Sequence, residues 1–294
     1  MTQEIPDISP DVDGGFAAPD IPEEWRDPET GLPTSEGIMR GVTRREIDHR
    51  QVRTFRSRVL KRDMTYRVYG DRGKPVIAFP TSQAHENLWE DFGMVDTLGD
   101  YINAGIIQLY ALDCIDDETF FRPDGKRRKA MRMYERWLSH IVNEFVPTVV
   151  AEREQKVLLT GASMGAYHAA NLFFRWPRQV DGLIALSGVY SPAPFLDFVN
   201  HMRPDVLANS PLDYLTQPVD SARLEAYAAA RLVFCAGGAE PDMRDDTIAL
   251  GQLMEEQGIA AWVDIWGDDV THDWPWWHKQ ISYFLPQVLE IEPL

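Results

Sequence analysis

Five short runs carry almost no polar side chain across their middles: KPVIAFP (74–80), IIQLYAL (106–112), KVLLT (156–160), DGLIALSG (181–188) and RLVFCAG (231–237). A strand with one wet face alternates apolar and polar residues, so runs without alternation must be covered on both faces. Segments with helical spacing lie between and after them: a long amphipathic stretch from about Lys126 to Val150, then Ala166 to Trp176, then DTIALGQLMEEQ (246–257). A further strand, AAWVDIWG (260–267), precedes a C-terminal helix through 276–289. Strands alternating with helices predict a parallel sheet with helices on both faces. Two earlier segments, VRTFRSRVL (52–60) and MTYRVYG (64–70), alternate and read as antiparallel strands. The expected fold class is therefore α/β, with a mostly parallel eight-stranded sheet. Such a sheet needs a large core, and 44% hydrophobic residues in 294 supply one.

Residues 1–35 hold six prolines and little apolar periodicity, which predicts an extended segment unless it docks on the body. The expected organisation is an acidic, Pro-rich N-terminal extension over 1–40 and a single domain over 41–294. Within that domain the aromatic, Pro-rich segment 190–230 is an insertion between two strands, suited to be a lid or pocket wall.

The formal charge of −17 argues against a nucleic-acid partner, which requires a basic surface. Charge is unevenly spread: residues 1–40 carry ten acidic and two basic side chains, whereas Arg40 to Arg67 holds ten basic and three acidic. An acidic tail beside a basic hairpin is compatible with docking of the tail or with a homo-oligomer interface. No run approaches the roughly 20 apolar residues of a membrane span. The N-terminus has neither the basic nor the apolar region of a secretory signal, so a cytoplasmic location is expected. Two cysteines, Cys114 and Cys235, are too few for a disulfide framework and read as reduced, partly buried thiols.

Chemistry enters at LTGASMGAYH (159–168). Ser163 follows a buried strand and opens a helix, at the carboxyl edge of the sheet where open α/β folds bind ligands. A serine on such a sharp turn has an exposed hydroxyl, and the next amide, that of Met164, faces a bound carbonyl. Gly161 and Gly165 leave room for strand and helix to approach, and the helix N-terminus adds a positive field where an oxyanion forms.

A serine hydroxyl needs a base. In this architecture the order along the chain is serine, acid, histidine, which leaves His201, His272 and His278. Of these, His272 lies in the loop after the last strand, at the edge that carries Ser163. His168, five residues past the serine on the same helix, cannot fold back onto the hydroxyl and reads as structural. The acid is expected in GGAEPDMRDDT (237–247). Asp245 and Asp246 resemble helix-capping residues, leaving Glu240 and Asp242 as better candidates. Asp273 is expected to brace the loop. The second oxyanion donor is expected from the loop after the first parallel strand, at the amide of Ser82 or Gln83.

No HExxH, CxxC or GxGxxG motif occurs in the required context, so neither a metal nor a dinucleotide cofactor is expected, and His85-Glu86 lacks a second ligand spacing. The WPWW run (274–277) reads as an anchor for the terminal helix ahead of an acyl-pocket wall. The KRRK cluster (126–129) reads as a solvated face.

The segments GASMGAYHA around Ser163, FPTSQAHENLWEDFGM at 79–94, NSPLDYL at 209–215 and THDWPWW around His272 resemble the α/β-hydrolase esterases that include esterase D and S-formylglutathione hydrolases. The resemblance covers roughly residues 50–290. It implies an α/β-hydrolase fold and a cofactor-independent serine carboxylesterase acting on a small-molecule ester, with Ser163 as nucleophile and His272 as base. It also implies Glu240 as the acid; relatives use Asp there, which keeps Asp242 in play. An acyltransferase with the same triad, or a binding protein that retains the fold without catalysis, are the alternative expectations.

Overall fold

Strands covered on both faces should hide nearly every residue, and the inner strands do so. In the computed structural model, which describes residues 34–123, 127–196 and 203–294, β4 (Ile107–Leu112) and β5 (Val157–Ala162) are buried throughout. β3 (Lys74–Phe79), β6 (Val180–Leu186) and β7 (Arg231–Gly237) are buried except at one residue each near their starts. β1 (Gln51–Ser57) and β2 (Arg62–Tyr69) open the sheet and β8 (Trp262–Trp266) closes it. The order is β1-β2-β4-β3-β5-β6-β7-β8. Only β2 runs antiparallel to its neighbours, β1 and β4; the remaining pairs are parallel. The α/β class and the mostly parallel eight-stranded sheet are as the apolar runs require.

Helices complete both faces: α1 (Ser35–Arg40), α2 (Leu88–Asp91), α3 (Met94–Thr97), α4 (Gly99–Asn103), α5 (Arg127–His140), α6 (Val146–Arg153) and α7 (Met164–Arg175). α8 (Pro204–Leu207), α9 (Pro211–Tyr214), α10 (Ser221–Ala228), α11 (Pro241–Glu256) and α12 (Trp274–Leu289) follow. Two clusters of buried side chains lie on opposite sides of the sheet. One gathers Phe79, Trp137, Leu159 and Phe173 with α5–α7; the other gathers Val76, Trp89, Leu158 and Phe284 with α2–α4 and α12. Among the described residues no helix is long and apolar enough to cross a membrane.

Two sequence expectations need adjustment. Ordered packing begins before β1 and inside the segment 1–40 expected as an extension: Thr34 caps α1 by accepting from the Gly37 amide at 3.0 Å, and Ile38 and Ile47 are buried in the second core. Residues 1–33 of the expected extension lie outside the described residues. The single helix expected over 126–150 is two, joined by a π turn at Ile141–Phe145. Pro147 accounts for the break, having no N–H to donate and a ring that excludes the carbonyl four residues back. Lys126 and the side chains of Arg127 and Arg128 also lie outside the described residues.

The insertion is tied down more firmly than its composition suggests. Asn209 is fully buried and accepts from Asn171 at 3.0 Å, while its carbonyl accepts from the Tyr167 hydroxyl at 2.8 Å. Its amide donates to Glu135, and Arg175 bonds both Asn209 and Glu135. This polar knot fastens α8–α9 onto α5 and α7, the helix that begins at Ser163. Residues 197–202, including His201, lie outside the described residues.

Candidate active site

Ser163 sits between β5 and α7 with φ 56° and ψ −125°, a left-handed conformation that costs a non-glycine residue about 1–3 kcal/mol. The surroundings enforce it. The Ser163 amide donates to the Leu186 carbonyl of β6 at 2.9 Å. A Cβ on Gly161 would lie 2.3 Å from the Gly165 carbonyl carbon, and one on Gly165 would lie 2.5 Å from the Phe79 carbonyl oxygen. The turn is thus wedged between its own strand and the end of β3, and only glycine fits two residues before and two residues after the serine. Met164 begins α7, so its amide is among the first-turn groups without an intrahelical acceptor.

His272 lies in the loop between β8 and α12. Its Nε2 is 3.0 Å from Ser163 Oγ, and its Nδ1 is 2.9 Å from Glu240 Oε2. A carboxylate can only accept, so Nδ1 carries the proton and Nε2 is left to accept from the serine hydroxyl. The histidine side chain is 31% exposed and the glutamate side chain 1%, which leaves the imidazole reachable while its partner is shielded.

Glu240 occupies the N-cap position of α11, just before Pro241. Its second oxygen, Oε1, accepts from Ser187 Oγ at 3.0 Å and from the Gly237 amide at 3.1 Å, so the buried charge is fully partnered. Asp242, the alternative acid, is exposed in the first turn of α11. Asp246 accepts from the Tyr190 amide at 2.7 Å, and burial pushes its carboxyl above the usual range. Of the acids weighed from sequence, Glu240 is the one beside His272.

The other candidates have structural partners. Asp273 accepts from the Trp274 amide at 2.7 Å and caps α12. His278 Nε2 donates to the Phe92 carbonyl at 2.8 Å, and burial pushes its imidazole down to about 4. His168 is a fully buried residue of α7, with Nδ1 3.1 Å from the Tyr134 hydroxyl. Of the two amides expected as oxyanion donors, that of Gln83 already donates to Asp116 Oδ2 at 3.0 Å. A carboxylate 33 residues away in sequence has taken that N–H, which leaves Ser82 as the expected donor on this loop.

The matching family model, described as "Putative esterase", spans residues 57–287. The chain belongs to this esterase family. Membership places the esterase among hydrolases of carboxylic esters. Solved structures agree on the fold. A ferulic acid esterase matches with TM-score 0.63 at 19% identity, covering 83% of this chain and 98% of its own. The S-formylglutathione hydrolase FrmB from Staphylococcus aureus matches at 0.57 and 12% identity, covering 85% and 100%. A ferulic acid esterase from the anaerobic fungus Anaeromyces mucronatus matches at 0.63 and 11%, covering 91% and 96%. No curated protein matches the chain.

Two residues of the esterase's site carry no signal that distinguishes them in the sequence. Trp277 donates its indole N–H to Ser187 Oγ at 3.0 Å, and its ring stands edge-on to His272, with centroids 4.9 Å apart at 90°. The WPWW run therefore anchors α12, as expected, while one of its members also braces the histidine. Ser187 holds φ 49° directly after β6, in the region that favours glycine. Cys114 and Cys235 are both buried thiols without a disulfide. Among the described residues no cluster of three or more His, Cys, Asp or Glu side chains is arranged to hold a metal ion.

Proposed function

We propose that the chain is a serine carboxylesterase that works through an acyl-enzyme intermediate. The observation that carries this reading is the chain of contacts from Ser163 Oγ to His272 to Glu240, at 3.0 and 2.9 Å. Serine, base and acid stand at hydrogen-bonding distance with the base oriented by the acid, the arrangement that nucleophilic acyl transfer requires.

In the first half-reaction Ser163 Oγ attacks the ester carbonyl carbon while His272 Nε2 takes the hydroxyl proton. Charge builds on the former carbonyl oxygen, where the Met164 amide, the N-terminus of α7 and the Ser82 amide would meet it. Collapse of the tetrahedral species breaks the bond to the alcohol oxygen, and His272 returns its proton to that leaving group. A water molecule then attacks the acyl-serine, again losing its proton to Nε2. The second collapse releases the carboxylic acid and restores the serine hydroxyl. Throughout, Glu240 keeps Nδ1 protonated and stabilises the imidazolium.

The test is hydrolysis of a p-nitrophenyl ester series from acetate to longer acyl chains by wild type and Ser163→Ala side by side. Wild type should turn over at least one short ester, and Ser163→Ala should lose about 10³-fold or more in kcat. Equal rates in both would remove Ser163 from the mechanism.

A further inference from the structure

The loop that follows β3 is gripped by the segment that follows β4. Four side chains of that second segment, within five residues of one another, together hold three residues of the first. Asp113 Oδ1 lies 2.9 Å from His85 Nδ1, and the Cys114 thiol donates to the Ala84 carbonyl at 2.8 Å. Asp116 Oδ2 accepts from the Gln83 amide at 3.0 Å, and Asp117 Oδ1 accepts from the Gln83 side chain at 3.1 Å. At its other end the loop leaves β3 pressed against the nucleophile turn, where a Cβ on Gly165 would lie 2.7 Å from the Pro80 carbonyl oxygen. Residues 81 and 82 thus span a gap fixed at both ends.

The four contacts are unequal. His85 and Asp117 are exposed, and exposed pairs contribute little. A thiol is a weak donor. Asp116 differs: it is 3% exposed and ionised against burial, with the His168 ring and the Gln83 amide together holding its carboxyl below the usual range. His168 Nε2 stands 3.5 Å from Asp116 Oδ1, within ion-pair reach but outside hydrogen-bond geometry, and makes no hydrogen bond. Behind it, Asn171 Nδ2 donates to Tyr134 Oη at 3.3 Å, and Tyr134 Oη is 3.1 Å from His168 Nδ1. Assigning the tyrosine hydroxyl as donor to Nδ1 puts the ring proton on Nε2, the nitrogen on the Asp116 side. Gln83, at the end of this relay, has φ 56°, a conformation that persists only where its surroundings enforce it.

We propose that Asp116 is a positioning residue for the oxyanion-binding loop. Its carboxylate, backed by His168, pins the Gln83 amide in the left-handed turn and so aims the preceding amide, that of Ser82, toward the carbonyl of an ester bound at Ser163. The proposal rests on the serine-esterase reading above. It assigns His168 a purpose within the buried core that supports α7, distinct from that of a base.

The experiment compares kcat and KM for a p-nitrophenyl oxoester and its matched thionoester in wild type, Asp116→Asn, Asp116→Ala and Ser163→Ala, with thermal unfolding recorded for each. A sulfur anion fits an oxyanion hole poorly, so the oxoester-to-thionoester rate ratio reports the aim of the donors. Partial unfolding scales both rates together and leaves the ratio alone. Asp116→Ala should lower kcat on the oxoester by about 10- to 100-fold, leave KM within about threefold and lower the ratio about 10-fold. Asp116→Asn keeps an acceptor oxygen for the Gln83 amide and should recover part of both losses. If Asp116→Ala does not fold, Asp116→Asn assayed below its unfolding transition carries the test, with the ratio lowered at least threefold. A ratio within twofold of wild type in the folded variants, whether or not kcat falls, overturns the proposal. Wild-type rates in Ser163→Ala would instead overturn the esterase reading itself.

Discussion

The indole N–H of Trp277 donates to the Ser187 hydroxyl at 3.0 Å, joining two residues 90 positions apart directly behind the histidine and its acid. Ser187 passes the bond on to Glu240 Oε1 at 3.0 Å, and the carboxylate's other oxygen holds His272. The terminal helix is thereby linked to His272 through two side chains. Ser187→Ala removes the middle of this chain and leaves a buried indole N–H unpaired, which costs about 1–3 kcal/mol. Unfolding in urea should show that loss, and kcat should fall about 3- to 30-fold as Glu240 loses one of its donors. Trp277→Phe, which keeps a ring against His272, should lower kcat less than Trp277→Ala. Equal values for the two would show that the ring contact contributes nothing.

Glu240 is the acid that reaches His272, and its neighbour Asp242 points elsewhere. Glu240→Gln keeps the shape but presents the imidazole with a group that can donate, which favours the wrong tautomer. The expected loss in kcat is about 10³- to 10⁴-fold, with little change in KM. Asp242→Asn, in an exposed first-turn position, should stay within about twofold. Steady-state kinetics on one short ester decide between them, and the reverse pattern would transfer the acid's role to Asp242.

Gly165 is the point where α7 touches the end of β3. Gly165→Ala places a Cβ 2.5 Å from one backbone carbonyl and 2.7 Å from the next, and backbone cannot rotate away as a side chain does. Stability should fall by about 2 kcal/mol or more, with activity reduced in the molecules that remain folded because the loop bearing Ser82 must move. A variant as stable and as active as wild type would show that this contact is looser than the geometry indicates.

His278 ties α12 to the Phe92 carbonyl, and burial pushes its imidazole down to about 4 while that bond works in the opposite direction. Between the ordinary histidine value near 6.5 and about 4, the unfolded chain takes up a proton that the folded chain does not. Stability therefore falls as the pH drops through this window and is unaffected by His278 above it. His140, whose affinity for protons burial also lowers, adds the same sign. Replacing His278 with Gln removes one titrating group, so the loss between pH 7 and pH 4.5 should shrink by up to about 2 kcal/mol. Parallel stability curves for the two proteins would contradict this.

The strands were legible because burial on both faces leaves an unalternated apolar run, and β3 through β7 are such runs. Ser163 and His272 were legible because a strand–turn–helix context and a fixed chain order restrict the choices. The acid was less so: Glu240 and Asp242 are two residues apart, and only the turn into α11 decides which carboxylate faces back toward the sheet. The commitment of the Gln83 amide to Asp116, and of Trp277 to Ser187, could not be read at all, since each joins segments far apart in sequence. The short helices α2–α4 are not legible in the sequence for a different reason: four or five residues are too few to display a helical period.

The most direct test is covalent capture of Ser163, the proposed nucleophile. Folded wild type is treated with a fluorophosphonate, and the intact mass and the labelled peptide are then read by mass spectrometry, with Ser163→Ala and His272→Ala alongside. One adduct is expected, on Ser163, absent from Ser163→Ala and formed far more slowly in His272→Ala. Folded wild type that takes up no label, or takes it up on a residue other than Ser163, would contradict it.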